Sequence, residues 1–125
     1  MSTLFFKNLG KLFYAIAAAD KNIDDMEILA LKEVIESDWK AMDLANHDDL
    51  KLITATFNNL KNEDNQNIDK LFSDFINFKN EEHHLFTKSI NRLILHTCNA
   101  IASSFSSRNK SELILLAKLE IELKK

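Results

Sequence analysis

Residues 15–31 have the sequence AIAAADKNIDDMEILAL, and this stretch decides the fold. An apolar segment ends in small residues, a short polar turn follows, and a second apolar segment starts after Asp24. Asn22 tolerates the left-handed backbone conformation that often ends a helix. Asp24 and Glu27 have the spacing of a capping box, in which two side chains satisfy each other's backbone amides. The stretch therefore predicts two α-helices joined by a tight polar turn.

The same pattern recurs at an offset of 85 residues, where residues 100–116 have the sequence AIASSFSSRNKSELILL. Five positions are identical in the two copies: Ala15, Ile16, Ala17, Glu27 and Leu31 match Ala100, Ile101, Ala102, Glu112 and Leu116. Asn109 precedes Glu112 by three residues, so a capping-box start is predicted again. We infer an internal helix-turn-helix repeat.

Composition favours helices throughout the chain. Its 125 residues include no proline and one glycine, and 46% of them are apolar. Strand turns need more of these two residue types, so a β-rich fold is disfavoured. Apolar residues at helical spacing predict helices near 3–19, 24–39, 47–60, 68–76, 82–104 and 109–123. We expect one all-α domain over residues 1–125, a compact bundle of about six helices with the last helix at its centre.

The repeated motif resembles that of the TerB-like family, named for a tellurite-resistance protein and related to the N-terminal domain of certain J-domain co-chaperones. The family pattern is a helix ending in Ala-Asp-Gly, a turn with an apolar residue, and a Glu that opens the next helix, present twice in an all-helical fold. The first copy here is residues 19–27, ADKNIDDME, and the second is the degenerate stretch 105–112, FSSRNKSE. Lys21 replaces the family's glycine, and Phe105 and Asn109 replace the acids of the second copy.

The resemblance implies a role in intracellular stress response or complex assembly, and acidic residues at the helix junction that bind a divalent metal. The matching positions are Asp20, Asp24 and Glu27. Carboxylates on a turn suit Ca²⁺ or Mg²⁺. An EF-hand is excluded because Asp25 stands where its glycine is needed and Leu31 where its bidentate acid is needed. The acids are better explained as helix caps and solvated turn residues, and Lys21 places a cation beside the site, so metal binding is kept as the alternative interpretation.

Other candidate ligands do not form a metal pattern. His83 and His84 are adjacent and point to different faces of a helix, and His96 and Cys98 lie about 200° apart around a helix. Zinc is therefore disfavoured. Residues 81–84, EEHH, are interpreted as the charged first turn of the fifth helix, and Cys98 as a small buried hydrophobe.

Charge and hydropathy disfavour two classes of partner. The formal net charge is −3 with no basic stripe, which argues against nucleic-acid binding. No apolar run is long enough to cross a membrane. Lys7 and Lys11 before the run Leu12–Ala19 have some features of a signal peptide, but the run is short and continues a helical pattern. A membrane-surface helix through Phe6 is disfavoured for lack of a broad basic face. We expect a cytoplasmic protein.

No nucleophile motif, phosphate-binding glycine loop or dinucleotide fingerprint occurs in the sequence, so we expect no enzyme activity. The function we predict is a non-catalytic binding or scaffold module with an unidentified protein partner. The alternative is a divalent-metal-binding protein that uses Asp20, Asp24 and Glu27. Four aromatics would be candidate partner contacts, although core positions are expected for each: Phe5, Phe6, Tyr14 and Trp39.

Overall fold

The structure is a computed structural model and describes residues 3–19, 23, 25–42, 46–63, 66–103 and 110–125. These residues form six α-helices and no strand, which confirms the all-helical prediction. The helices are α1 (Thr3–Ala17), α2 (Asp25–Val34), α3 (His47–Lys61), α4 (Ile68–Glu81), α5 (Lys88–Ala102) and α6 (Lys110–Lys124). None of them, within the residues described, is long and apolar enough to cross a membrane.

Helix α1 is the central element of the bundle. It packs against α3, α4, α5 and α6, and its apolar side chains from Phe5 onward are almost completely buried, Leu9, Leu12 and Phe13 among them. The prediction that the last helix is central was wrong. Helix α6 packs against α5 and α1, and it leaves Leu113, Ile114 and Ile121 exposed. An apolar circumference indicates a helix that can be buried, but the number of packed neighbours decides whether it is.

Gly10 sets the distance between α1 and α3. A Cβ atom at this position would lie 2.6 Å from Cβ of Thr56 and 2.8 Å from the carbonyl oxygen of Ile53. Both separations are far shorter than van der Waals contact. The single glycine of the chain is therefore a packing residue at a helix crossing rather than a turn residue.

Helix α2 packs against α5 and runs on into a π-helical turn, Ile35–Trp39. The N–H of Lys40 donates to the carbonyl oxygen of Ile35 at the end of this turn. Trp39 packs edge-on against Phe13 of α1, with ring centroids 6.2 Å apart. The predicted helix 24–39 is thus present from Asp25 onward, with a change of hydrogen-bond pattern in its last part.

The start of the fifth helix differs from the prediction. Helix α4 ends at Glu81, a 3₁₀ turn follows at His83–Leu85, and α5 begins at Lys88. Thr87 caps α5, because its hydroxyl accepts from the N–H of Ile90 at 3.2 Å. The interpretation of residues 81–84 as the first turn of α5 was therefore wrong. A threonine hydroxyl supplies a better N-cap than the acidic pair upstream.

Candidate functional site

Helix α4 has a second apolar row beside its buried one. Leu71, Phe75 and Phe78 are buried in the core, where Phe75 and Phe78 pack edge-on against the ring of Phe86. A row one residue away is half-buried at i, i+4 and i+8: Ile68, Phe72 and Ile76. The inner row holds α4 against α1, so the outer row faces the edge of the bundle.

Helix α6 carries a matching exposed row. Its buried side chains include Leu119 and Leu123, which fix the helix on the bundle. Ile114 and Ile121 are 47% and 60% exposed, and Lys118 lies between them in sequence at helical spacing. Large apolar residues of this kind on a helix surface mark an interaction face more often when they are grouped than when they are scattered.

Two depressions lie beside these rows and share Lys118 in their linings, and we name them together the α4/α6 groove. Its narrow part has a volume of about 310 Å³ and is bordered by Phe72, Ile76 and Ile121. Its wide part is bordered by Ile68 and Ile114, by residues from the ends of α1 and α3, and by polar side chains that include Glu63 and Asp69. Lys118 lines both parts, so it lies at the middle of the groove.

Three side chains hold the end of α6 in place. The buried ammonium of Lys79 donates to the carbonyl oxygen of Glu122 at 2.5 Å, and Asn91 donates to that of Leu123 at 3.3 Å. His83 Nε2 lies 3.2 Å from the carbonyl oxygen of Lys125. The last carbonyls of a helix have no partner within the helix, so these contacts supply hydrogen bonds from α4, the 3₁₀ turn and α5. The α6 wall of the groove is thereby fixed.

Of the predicted metal ligands, Asp20 and Asp24 lie outside the described residues. Glu27 lies in the first turn of α2 and is buried, with 3% of its surface exposed. Among the residues that the structure does describe, no three His, Cys, Asp or Glu side chains are grouped so as to hold a metal ion. The three predicted ligands therefore stay a prediction from sequence.

The histidines and the cysteine have separate surroundings. His96 Nε2 lies 2.8 Å from a carboxylate oxygen of Asp38, and His84 Nε2 lies 3.7 Å from one of Glu82. Cys98 is fully buried in the core, and desolvation raises the pKa of its thiol far above the ordinary value. The prediction that Cys98 is a small buried hydrophobe is confirmed.

The four aromatics considered as partner contacts are core residues. Phe5, Phe6, Tyr14 and Trp39 are all buried. Tyr14 packs edge-on against Phe57 of α3, with ring centroids 5.7 Å apart, and burial raises the pKa of its hydroxyl. Among the described residues, half of the large apolar side chains that are exposed come instead from α6, the helix expected at the centre of the bundle: Leu113, Ile114 and Ile121. The signal for this was available in α6, whose apolar residues cover more faces than two neighbours can bury.

Comparison of the chain with protein-family models, with curated proteins and with solved structures gives no match.

Proposed function

We propose that this protein is a non-catalytic binding module that holds an amphipathic helix of a protein partner in the α4/α6 groove. The observation that carries the proposal is the exposure of Ile114 and Ile121 on a helix whose other face is firmly packed. Burying two isoleucines and the half-buried row of α4 would provide a favourable free energy of binding. Partner helices bind such grooves through apolar residues at i, i+3 or i+4, and i+7.

The dimensions of the groove suit a helix. The α4 row runs over the nine residues from Ile68 to Ile76, and the eight rises between them give a length of about 12 Å in an α-helix. This length corresponds to about two turns of a bound helix. Both walls present apolar side chains along that length, so the partner would be contacted on two sides.

The charge of Lys118 further restricts the kind of partner helix that would fit the groove. Lys118 is exposed where the two parts of the groove meet, between two apolar residues of α6, while Glu63 and Asp69 line the wide part and Glu122 the narrow part. A partner helix that places an acidic residue opposite this ammonium would gain specificity and register from the pair. We therefore expect an amphipathic helix with one Asp or Glu within its apolar face.

The resemblance to the TerB-like family belongs to the same proposal, with its implied role in complex assembly. One structural feature supports the internal repeat on which it depends. Glu27 and Glu112, which the 85-residue offset aligns, are both buried in the first turns of α2 and α6. The divalent-metal alternative stays a prediction from Asp20, Asp24 and Glu27.

The test is site-specific cross-linking from the groove. A photo-reactive phenylalanine analogue replaces Ile121 in the full chain, and a control version carries it at Leu29, an exposed residue of α2 outside the groove. After irradiation in an extract of the source cells, the cross-linked peptide is identified by mass spectrometry. We expect a product from position 121 alone, attached to a segment with amphipathic helical spacing and an acidic residue.

Two further variants separate the contributions to binding. Ile114→Asp should abolish the product of position 121, and Lys118→Glu should reduce it, while both variants retain the melting temperature of the parent because these side chains are exposed. Cross-links between two copies of this chain, or to an extended segment, would contradict the proposal. So would equal products from positions 29 and 121.

A further inference from the structure

A second groove lies on another face, between the end of α2 with its π turn and helix α3. Its volume is about 460 Å³, within the range of pockets that hold small molecules. Ile35 from the π turn and Leu50 from α3 are buried beneath it and form an apolar floor. We name it the α2/α3 groove.

Lysines border the α2/α3 groove on both sides. Lys32 and Lys40 come from the α2 side and Lys51 from α3, and all three are exposed. Glu36 is the one carboxylate among the described lining residues. The lining of the groove therefore carries a local excess of positive charge, although the formal net charge of the whole chain is −3. The long lysine side chains can lay their methylenes along apolar surface and keep the ammonium groups at the rim.

The wall formed by the π turn is fixed by contacts with α1 and α5 in the core. Trp39 is buried against Phe13 and donates a hydrogen bond to Thr97 of α5, while Ile35 of the same turn forms part of the groove floor. Single π turns within α-helices are uncommon and occur frequently at functional sites. The floor and one wall are thus preformed, which lowers the entropic cost of binding a ligand.

We propose that the α2/α3 groove binds a medium-chain carboxylate. The alkyl chain lies on Ile35 and Leu50, and the carboxylate pairs with the ammonium groups of Lys40 and Lys51. A small inorganic anion would pair with the lysines but would make no contact with the apolar floor. A neutral alkyl ligand would contact the floor but would leave the lysines without a partner. This inference concerns a different face from the α4/α6 groove and does not depend on the function proposed for it.

The test is a titration of the full-length protein with sodium octanoate, followed by amide chemical shifts in two-dimensional NMR spectra. We expect saturable shifts centred on the amides of Ile35, Leu50 and Thr54. Acetate supplies the carboxylate without the long alkyl chain, and 1-octanol supplies the alkyl chain without the carboxylate. Each should bind at least about tenfold more weakly than octanoate, since each lacks one of the two contributions.

Charge variants test the assignment of the rim. The double variant Lys40→Gln/Lys51→Gln should weaken octanoate binding about tenfold, and Glu36→Gln should strengthen it. The matched control is Lys88→Gln, which removes an exposed lysine of α5 outside the groove and should leave binding unchanged.

Several results would overturn the proposal. These are the absence of saturable shifts, shifts centred on other residues, equal binding of octanol or of acetate, and unchanged affinity in the double variant. A hexaglutamate peptide provides the last comparison. If this peptide binds the groove more tightly than octanoate does, the lysines bind an acidic peptide, and the proposal of a medium-chain carboxylate is wrong.

Discussion

The indole Nε1 of Trp39 donates a hydrogen bond to Oγ1 of Thr97 at 2.9 Å, across 58 residues of sequence. The hydroxyl of Thr97 donates in turn to the carbonyl oxygen of Leu93 at 2.7 Å. Both side chains are buried, so water does not compete for these groups. The chain of two hydrogen bonds ties the π turn after α2 to the middle of α5 and satisfies the buried indole N–H.

We expect Thr97→Val to destabilise the protein by about 1–3 kcal/mol, the cost of leaving a buried donor without an acceptor. Valine keeps the shape of threonine, so the change removes the hydroxyl with little effect on volume. The free energy of unfolding from urea denaturation measures the effect. In a double-mutant cycle with Trp39→Phe, the combined loss should be smaller than the sum of the single losses, because the second change removes the orphaned donor. If the two losses of stability were strictly additive, the two side chains would have no energetic coupling through this hydrogen bond.

Gly10→Ala should destabilise the bundle by about 1–3 kcal/mol, although alanine is the better helix former. The new methyl group would collide with Thr56 and with the backbone of Ile53, so α1 and α3 would have to separate. Thermal and urea unfolding measure the loss. Ala55→Gly on the exposed face of α3 is the matched control and should cost about 1 kcal/mol through propensity alone. If Gly10→Ala raised stability by a similar amount, the close helix contact would be refuted.

Cys98 should resist thiol reagents in the native protein and react only on unfolding, because it is fully buried and the pKa of its thiol is raised by desolvation. Its ordinary pKa is about 8.5, so above that pH the unfolded chain loses a proton that the folded protein keeps. Stability contributed by the protonated thiol is therefore present below this value and declines as the pH rises through it. Between about pH 8 and pH 9.5 the free energy of unfolding should fall less in Cys98→Ala than in the parent protein. Parallel pH profiles would contradict this.

Metal binding at Asp20, Asp24 and Glu27 predicts a higher melting temperature in millimolar Ca²⁺ or Mg²⁺. At 100-fold excess over the dissociation constant, the gain in stability is about 2.7 kcal/mol. Asp20→Ala should remove the gain, and Asp48→Ala, an exposed acid at the start of α3, should preserve it. A melt unchanged by Ca²⁺, Mg²⁺, Mn²⁺ or Zn²⁺ would refute the metal site.

Local patterns predicted several features of the fold correctly. The predicted start of α3 near His47 holds, because Asn46 and Asp49 form a reciprocal capping box there, with hydrogen bonds of 2.8 and 3.2 Å. The start of α5 was misplaced, because residues 81–84 were interpreted as its charged first turn, whereas Thr87 caps the helix and residues 83–85 form a 3₁₀ turn. A cap depends on four or five consecutive residues, so sequence often suffices for it.

The two candidate grooves could not be predicted from the sequence. The sequence analysis placed the last helix at the centre of the bundle, but its spacing does not show which apolar residues find a neighbour, and Ile121 is 60% exposed. The lysines of the α2/α3 groove are separated in the chain and come together only when α2 and α3 are placed in space. By itself the sequence determined an all-helical chain with a buried cysteine, since these depend on short-range periodicity and composition. The predicted cap residues Asn22, Asp24 and Asn109 lie outside the described residues. Which helix lies at the centre, where Gly10 brings two helices into contact, and which surfaces stay open were decided by the tertiary structure. Those outcomes depend on how many neighbours each helix acquires.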